Sequence, residues 1–211
     1  MAYIIGEDYD AKFIDTGVVF SDGDAALKAF FAKTYIAPNS IIKASWVTGN
    51  AIPPEVVPTK ARIVEGGPLY DWRTVRGGTT LVSDRFKACV EALDPGRHGF
   101  FPLTVEDLNG DVMPGPYVLF NVVGRIDSII EAQSNLKASG RGFIDGWEYE
   151  RPTGPWKCAL DAAVIGDRAC WTEIRYGRRW FISDRLATLL RARGLEGFDY
   201  TLACEEIPAG A

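Results

Sequence analysis

A chain of 211 residues, 47% hydrophobic and 24% charged, needs no disulfide or metal staple, because folding at this length removes roughly 70% of the unfolded surface from water. The formal net charge is -5 and the basic residues are scattered, which excludes the basic stripe of a nucleic-acid-binding domain. No apolar run approaches the ~18 residues of a membrane span, and Met1 to Asp8 lacks the basic and long apolar regions of a secretory signal, so the expected location is the cytoplasm.

Tyr3 to Ile5 and Gly17 to Phe20 read as short strands. Ser21 and Asp22 offer N-cap chemistry for a helix over Gly23 to Lys33, with Phe30 and Phe31 expected in the core. Ala37 to Pro58 holds Pro38, Pro53, Pro54 and Pro58 and reads as a long loop or extended arm, since proline fixes φ and removes a donor. Ala61 to Glu65 is a candidate strand, and Gly66 to Gly78 is turn-rich.

The clearest stretch begins at Leu81. Leu81 and Val82 end a strand, Ser83 is an N-cap, and Asp84 places a negative charge where the helix dipole favours it. Phe86, Cys89, Val90 and Leu93 then repeat at helical spacing until Asp94-Pro95-Gly96 stops the helix. Phe100 to Val105 and Pro116 to Val123 are strands around an Asn109-Gly110 turn, and Ile126 to Ala132 is a further strand or short helix. Trp156 to Ile165 and Ala169 to Tyr176 read as strands joined at Gly166-Asp167. Arg179 to Ile182 leads into a second Ser183-Asp184-Arg185, followed by Leu186, Leu189 and Leu190, a stop at Gly194 and Gly197, and a closing strand from Phe198 to Cys204.

This pattern is α+β: antiparallel or mixed sheets with a few amphipathic helices. A strand, Ser-Asp-Arg helix and strand occur twice, either as two related units or as coincidence between two capped helices. Residues 1–79 read as an N-terminal region packed on a core of residues 80–211, with one domain over 1–211 as the other division.

Little chemistry is offered. His98 is the only histidine, set at a turn, and is expected at the surface or as a cap. Cys89, Cys158, Cys170 and Cys204 form no Cys-x-x-Cys pair and read as buried free thiols, with a Cys158–Cys170 bridge as the alternative. No cofactor or metal set is expected. Asp107 to Asp111 reads as a plain turn. Glu148 and Glu150, spaced to share one face of a strand, are the best carboxylate pair for a hydrolase. Among the six tryptophans, Trp171 and Trp180 are expected in the core, while Trp46, Trp72 and Trp147 are interface candidates.

The runs Leu81-Val82-Ser83-Asp84-Arg85-Phe86, Gly99-Phe100-Phe101-Pro102, Pro116-Tyr117-Val118-Leu119-Phe120-Asn121-Val122 and Arg125-Ile126-Asp127-Ser128 resemble the middle of the bacterial immunity protein 11 family. Trp180-Phe181-Ile182-Ser183-Asp184-Arg185-Leu186 and Gly194-Leu195-Glu196-Gly197-Phe198 resemble its C-terminal end. The likeness covers residues 80 to 204. It implies a small cytoplasmic protein, encoded beside a polymorphic toxin, that binds this toxin and blocks it, with no catalytic residues. The implied partner is the cognate toxin, and an acidic chain suits a basic, nuclease-type domain. Nucleic acid and membrane are not expected partners. A protein-binding accessory module and a carboxylate-based hydrolase are the other readings. The matching motifs are scaffold, so contacts are expected at Asp145, Trp147, Glu148, Tyr149 and Glu150, in an irregular acidic and aromatic stretch.

Overall fold

In the computed structural model, residues 1–7, 17–35, 43–66, 68–75, 78–138, 149–150, 154–176 and 179–208 are described. The first half contains β1 (Ala2–Glu7), β2 (Gly17–Phe20), α1 (Asp24–Lys33), a 3-10 turn (Pro54–Val56), β3 (Lys60–Glu65), β4 (Trp72–Val75), β5 (Thr79–Ser83) and α2 (Asp84–Glu91). Then come β6 (Gly99–Glu106), β7 (Tyr117–Asn121), β8 (Arg125–Ile126), a second 3-10 turn (Glu131–Gln133), β9 (Lys137–Ala138) and β10 (Tyr149–Glu150). The last quarter is β11 (Ala159–Asp161), α3 (Ala162–Ile165), β12 (Cys170–Glu173), β13 (Trp180–Ser183), α4 (Asp184–Ala192) and β14 (Phe198–Ile207).

The strands form two six-stranded sheets, ordered β2-β3-β6-β7-β5-β4 and β11-β14-β1-β13-β12-β8, and a β9–β10 ribbon. The architecture is therefore α+β with mixed sheets, as the sequence pattern indicates.

Both Ser-Asp-Arg starts do what their chemistry dictates. Ser83 Oγ accepts from Phe86 N at 3.2 Å, and Ser183 Oγ accepts from Leu186 N at 3.3 Å. Each satisfies one of the orphan donors of a helix N-terminus.

The likeness extends well beyond the caps. β4, β5, β7 and β6 pair antiparallel in that order, and β6 runs parallel to β3. β12, β13, β1 and β14 pair antiparallel in the same order, and β14 runs parallel to β11. Linking hydrogen bonds correspond as well. Ser83 N donates to Asp71 O, Asp84 N to Pro116 O and Thr104 N to Thr59 O. In the second unit Ser183 N donates to Ala169 O, Asp184 N to Met1 O and Glu205 N to Cys158 O. These are two copies of one unit. In the second copy the place of β7 is taken by β1, brought from the other end of the chain.

The helices α2 and α4 pack against each other and supply Phe86, Cys89, Val90, Leu186, Ala187 and Leu190 to the main core. At its centre Trp72 meets Trp180 with ring centroids 5.2 Å apart and Phe86 at 5.4 Å, so rings of both units interlock edge to face. Period-two alternation divides β13: Trp180 and Ile182 face this core, while Phe181 faces a second, smaller cluster with Ile4, Leu160 and Trp171. Each helix end clamps the other unit. Just after α4, Glu196 O accepts from Asp71 N, and Glu196 N donates to the Asp71 carboxylate at 3.0 Å, which ties this end of the helix to the start of β4. A Cβ on Gly197, whose φ is +96, would lie 2.7 Å from Trp72 O, so the close approach requires glycine there.

Several expectations are corrected. α1 has Gly23 at its cap position without a side-chain cap bond, and Asp22 turns instead to Thr59 N, Thr59 Oγ1 and Lys60 N. Leu27 is the buried residue of that helix, and Phe30 and Phe31 are only half-buried. Residues Trp72–Val75 form a strand within the stretch that reads as turn-rich. Residues Ala162–Ile165 form a short helix rather than the end of a strand, because Asp161 Oδ1 caps Ala163 N and Val164 N.

Candidate functional site

A catalytic or metal centre would be built from buried ionisable groups. Asp94, His98 and Cys170 bring one ligand atom each to within 4.8 Å of one another. The histidine expected at the surface is therefore in the interior, where its side chain is inaccessible. The hydrogen-bond pattern fixes its role. Val123 N donates to His98 Nδ1 at 3.2 Å, so the proton sits on Nε2, which faces Asp94 Oδ2 at 3.1 Å and Cys170 Sγ at 3.2 Å. A Cys-His nucleophile pair or a metal needs a lone pair at that same nitrogen, and the proton occupies it. Burial, with the Asp94 charge, pushes the Cys170 thiol well up, away from the reactive thiolate.

Asp94 Oδ2 also accepts from Ala169 N at 2.8 Å and Cys170 N at 3.1 Å, and Oδ1 accepts from Arg97 Nη1 at 2.9 Å. The trio braces the end of α2 against the start of β12. It is the counterpart of the Asp71–Glu196 clamp in the other half.

Glu173 is buried under the second cluster. Ser128 N donates to Oε2 at 3.0 Å, Trp171 Nε1 to Oε1 at 2.9 Å, and the Ser128 hydroxyl to Oε1. Burial pushes its carboxyl up to about 7 against these donors, with Asp127 adding to the rise. The folded state thus keeps a proton that the unfolded chain releases at its ordinary value of 4.5. Stability should fall as pH rises from about 4.5 to about 7, by roughly 3 kcal/mol from this group. Urea melts from pH 4.5 to 8 check this. The difference between wild type and Glu173→Gln should carry the pH dependence, and parallel profiles would refute it.

The four cysteines are free and buried. Cys158 abuts Cys204 rather than Cys170. Trp171 and Trp180 are core, as expected, but so are two of the interface candidates. Trp46 is buried, with Nε1 donating to Phe120 O at 2.7 Å, and Trp72 stands in the central ring cluster. A hollow of 330 Å³ beside Ser83 is lined by Asp71, Arg85 and Glu196, which pair with one another and serve the scaffold.

Of the expected contact residues, Asp145, Trp147 and Glu148 lie outside the described residues, as does Trp147's share of the interface reading. Tyr149 and Glu150 form β10, in register with Ala138 and Lys137 of β9. Glu148 and Glu150 therefore cannot be placed together as a catalytic pair from the described residues.

The surface is more informative than the interior. Between β6 and β7, Asp107 Oδ1 accepts from Asn109 N at 2.8 Å and Asp111 N at 2.9 Å, while Asp107 N donates to Asp111 O. These bonds hold the Asp107 carboxyl below its ordinary value and make a tight turn, as the sequence indicates. The turn lifts Leu108 to 60% exposure and Val112 to 66%. At its base a groove of 530 Å³ runs between the 3-10 turn at Pro54 and β6. No signal for the groove is visible in the sequence, since its walls are 40 residues apart or more.

Among the described residues no helix is long and apolar enough to cross a membrane. The family model of an immunity protein family, Imm11, matches residues 18–204, nearly the whole chain. The chain belongs to the Imm11 immunity protein family. The match begins much earlier than the motifs at 80–204 indicate, and so takes in α1 and β2 to β4 of this Imm11 chain. No curated protein matches it.

Proposed function

We propose that this chain is the immunity protein of a cognate bacterial toxin, which it binds and neutralises without catalysis in the cytoplasm of the producing cell. The match to the Imm11 family over residues 18–204 carries this reading. The net charge of -5 supports a basic, nuclease-type toxin domain as the partner, because opposite fields speed encounter. Binding over the toxin's active cleft would suffice to block it.

Co-expression with the toxin encoded beside this gene tests the reading. Survival of the cells and a one-to-one complex on a sizing column are expected; a toxin that still kills, with no complex, refutes it.

Within this reading we place a contact at Asp145, Trp147, Glu148, Tyr149 and Glu150, where acidic and aromatic residues stand together. Trp147→Ala is expected to weaken toxin binding by about 1–2 kcal/mol with the melting temperature unchanged. Lower melting temperature with unchanged affinity would make Trp147 a packing residue.

A further inference from the structure

The β6–β7 turn and the groove at its base carry features that the scaffold does not use. Leu108 and Val112 are the two most exposed large hydrophobic residues among those described, each standing further into solvent than Met1 at 50% or Tyr35 at 46%. Neither packs on the core. A soluble protein gains nothing from holding two such side chains out on a turn fixed by its own hydrogen bonds, unless something covers them.

The groove has an identifiable cause. β3 begins at Lys60, opposite Thr104, so the stretch of β6 from Gly99 to Leu103 has a strand partner on its β7 side only. Pro102 sits in this open stretch, where its missing N–H costs no ladder bond. Pro54 and Pro58 approach from the opposite wall and Pro116 closes the end next to the turn. A wall of prolines offers apolar surface and few donors, which disfavours strand addition and suits an apolar side chain.

Charge selects among partners. Lys60 is offset by Asp22, which lies beside it, and Arg62 is opposite Glu106 in the β3–β6 register. Glu55 on the 3-10 turn, with Asp107 and Asp111 on the tip, then leaves this face acidic. Phosphate backbones and anionic lipid would be repelled, and a cationic protein surface would be attracted.

We propose that the β6–β7 tip and the proline-lined groove form a docking surface for a positively charged protein surface that inserts an apolar side chain. This rests on the toxin-binding reading and identifies the toxin face as basic with an apolar anchor. The turn is already ordered, so little conformational entropy is lost on docking. The acidic rim governs the rate of encounter, and Leu108, Val112 and the groove govern release.

The test uses the full chain and the toxin encoded beside it, with affinity and rates measured by surface plasmon resonance. Leu108→Ser with Val112→Ser should raise Kd about 30-fold or more, chiefly through faster release. Asp111→Lys should slow association and flatten its salt dependence. Val164→Ser, at an exposed apolar residue of α3, should change neither. All variants alter exposed side chains, so equal melting temperatures are expected. Wild type that binds while the tip variants bind equally well overturns this surface alone. Wild type that does not bind overturns the toxin-binding reading as well. Tip-dependent self-association without toxin, or tip-dependent binding to phosphatidylserine vesicles, overturns it in favour of a second copy or a membrane.

Discussion

Deleting residues 2–7 should leave a chain without a cooperative unfolding transition. β1 lies between β13 and β14 and pairs with both, from Ala2↔Ser183 to Ile5↔Trp180 on one side and from Ala2↔Cys204 to Glu7↔Phe198 on the other. Its removal separates β14 and β11 from the rest of their sheet and leaves two strand edges open. Ile4 and Ile5 are buried on opposite faces, one in each core cluster, and each burial stabilises by about 1.5–3 kcal/mol. With the two ladders added at about 0.5–1.5 kcal/mol per hydrogen bond, the loss is comparable with the about 5–15 kcal/mol that holds a typical domain together.

The repeat supplies a sharper version of the same experiment. Ala2 is opposite Cys204, so the start of β1 is beside the later part of β14, as Tyr117 of β7 is opposite Leu103 of β6. Moving residues 1–7 to follow residue 208 through a hairpin linker gives the second unit the chain order of the first. This permutant should refold with a single transition in urea. A truncated chain that melts like wild type, or a permutant as unstable as the truncation, would refute the role assigned to β1.

Asp94→Ala should cost about 3–5 kcal/mol, the range expected when a buried, hydrogen-bonded charge loses its partners. Its carboxylate receives donors from His98, Ala169, Cys170 and Arg97, and the substitution deprives the two buried backbone amides of this acceptor and leaves His98 only the weak acceptor Cys170 Sγ. Asp94→Asn should recover much of this, because one amide oxygen can replace Oδ2 for those three donors. Burial alone would raise the Asp94 carboxyl, but the bonds from His98, Cys170 N and Ala169 N outweigh it, and the net shift is downward. The sign follows. The unfolded chain takes up the proton first on acidification, so the stabilisation is complete above the ordinary carboxylate value of 3.8 and is lost as pH falls towards the lower folded value. Wild type should therefore lose stability in acid more steeply than Asp94→Ala. Urea midpoints at pH 7 and pH 3.5 check both statements; a loss below 1 kcal/mol at pH 7 would show that the brace is dispensable.

These two experiments address what was legible in the sequence and what was not. Both Ser-Asp-Arg helices, the Asn109-Gly110 turn and the strands around them could be read directly, because a cap, a turn and a periodic face are each made by residues a few positions apart. β4 was hidden for the opposite reason. Trp72–Val75 is a strand only because Thr79–Ser83 pairs with it, and glycine-rich sequence on both sides resembles loop. Trp46 and Trp72 read as interface candidates from their loop-like setting but are core, because burial depends on what covers a loop and the covering residues come from elsewhere in the chain. His98 reads as a surface or capping residue for the same reason, since its partners Val123 and Cys170 are 25 and 72 residues away.

The sequence by itself determined the class of fold, the two capped helices, the acidic character and, through its motifs, the family. Local chemistry is sufficient for each of these. Only the tertiary structure decided that the Ser-Asp-Arg recurrence marks two copies of one unit, that β1 completes the second copy, and that Leu108 and Val112 stand beside a proline-lined groove. Those facts depend on pairing and packing between segments up to 202 residues apart, as Ala2 is from Cys204, where no local preference of the chain specifies the partner.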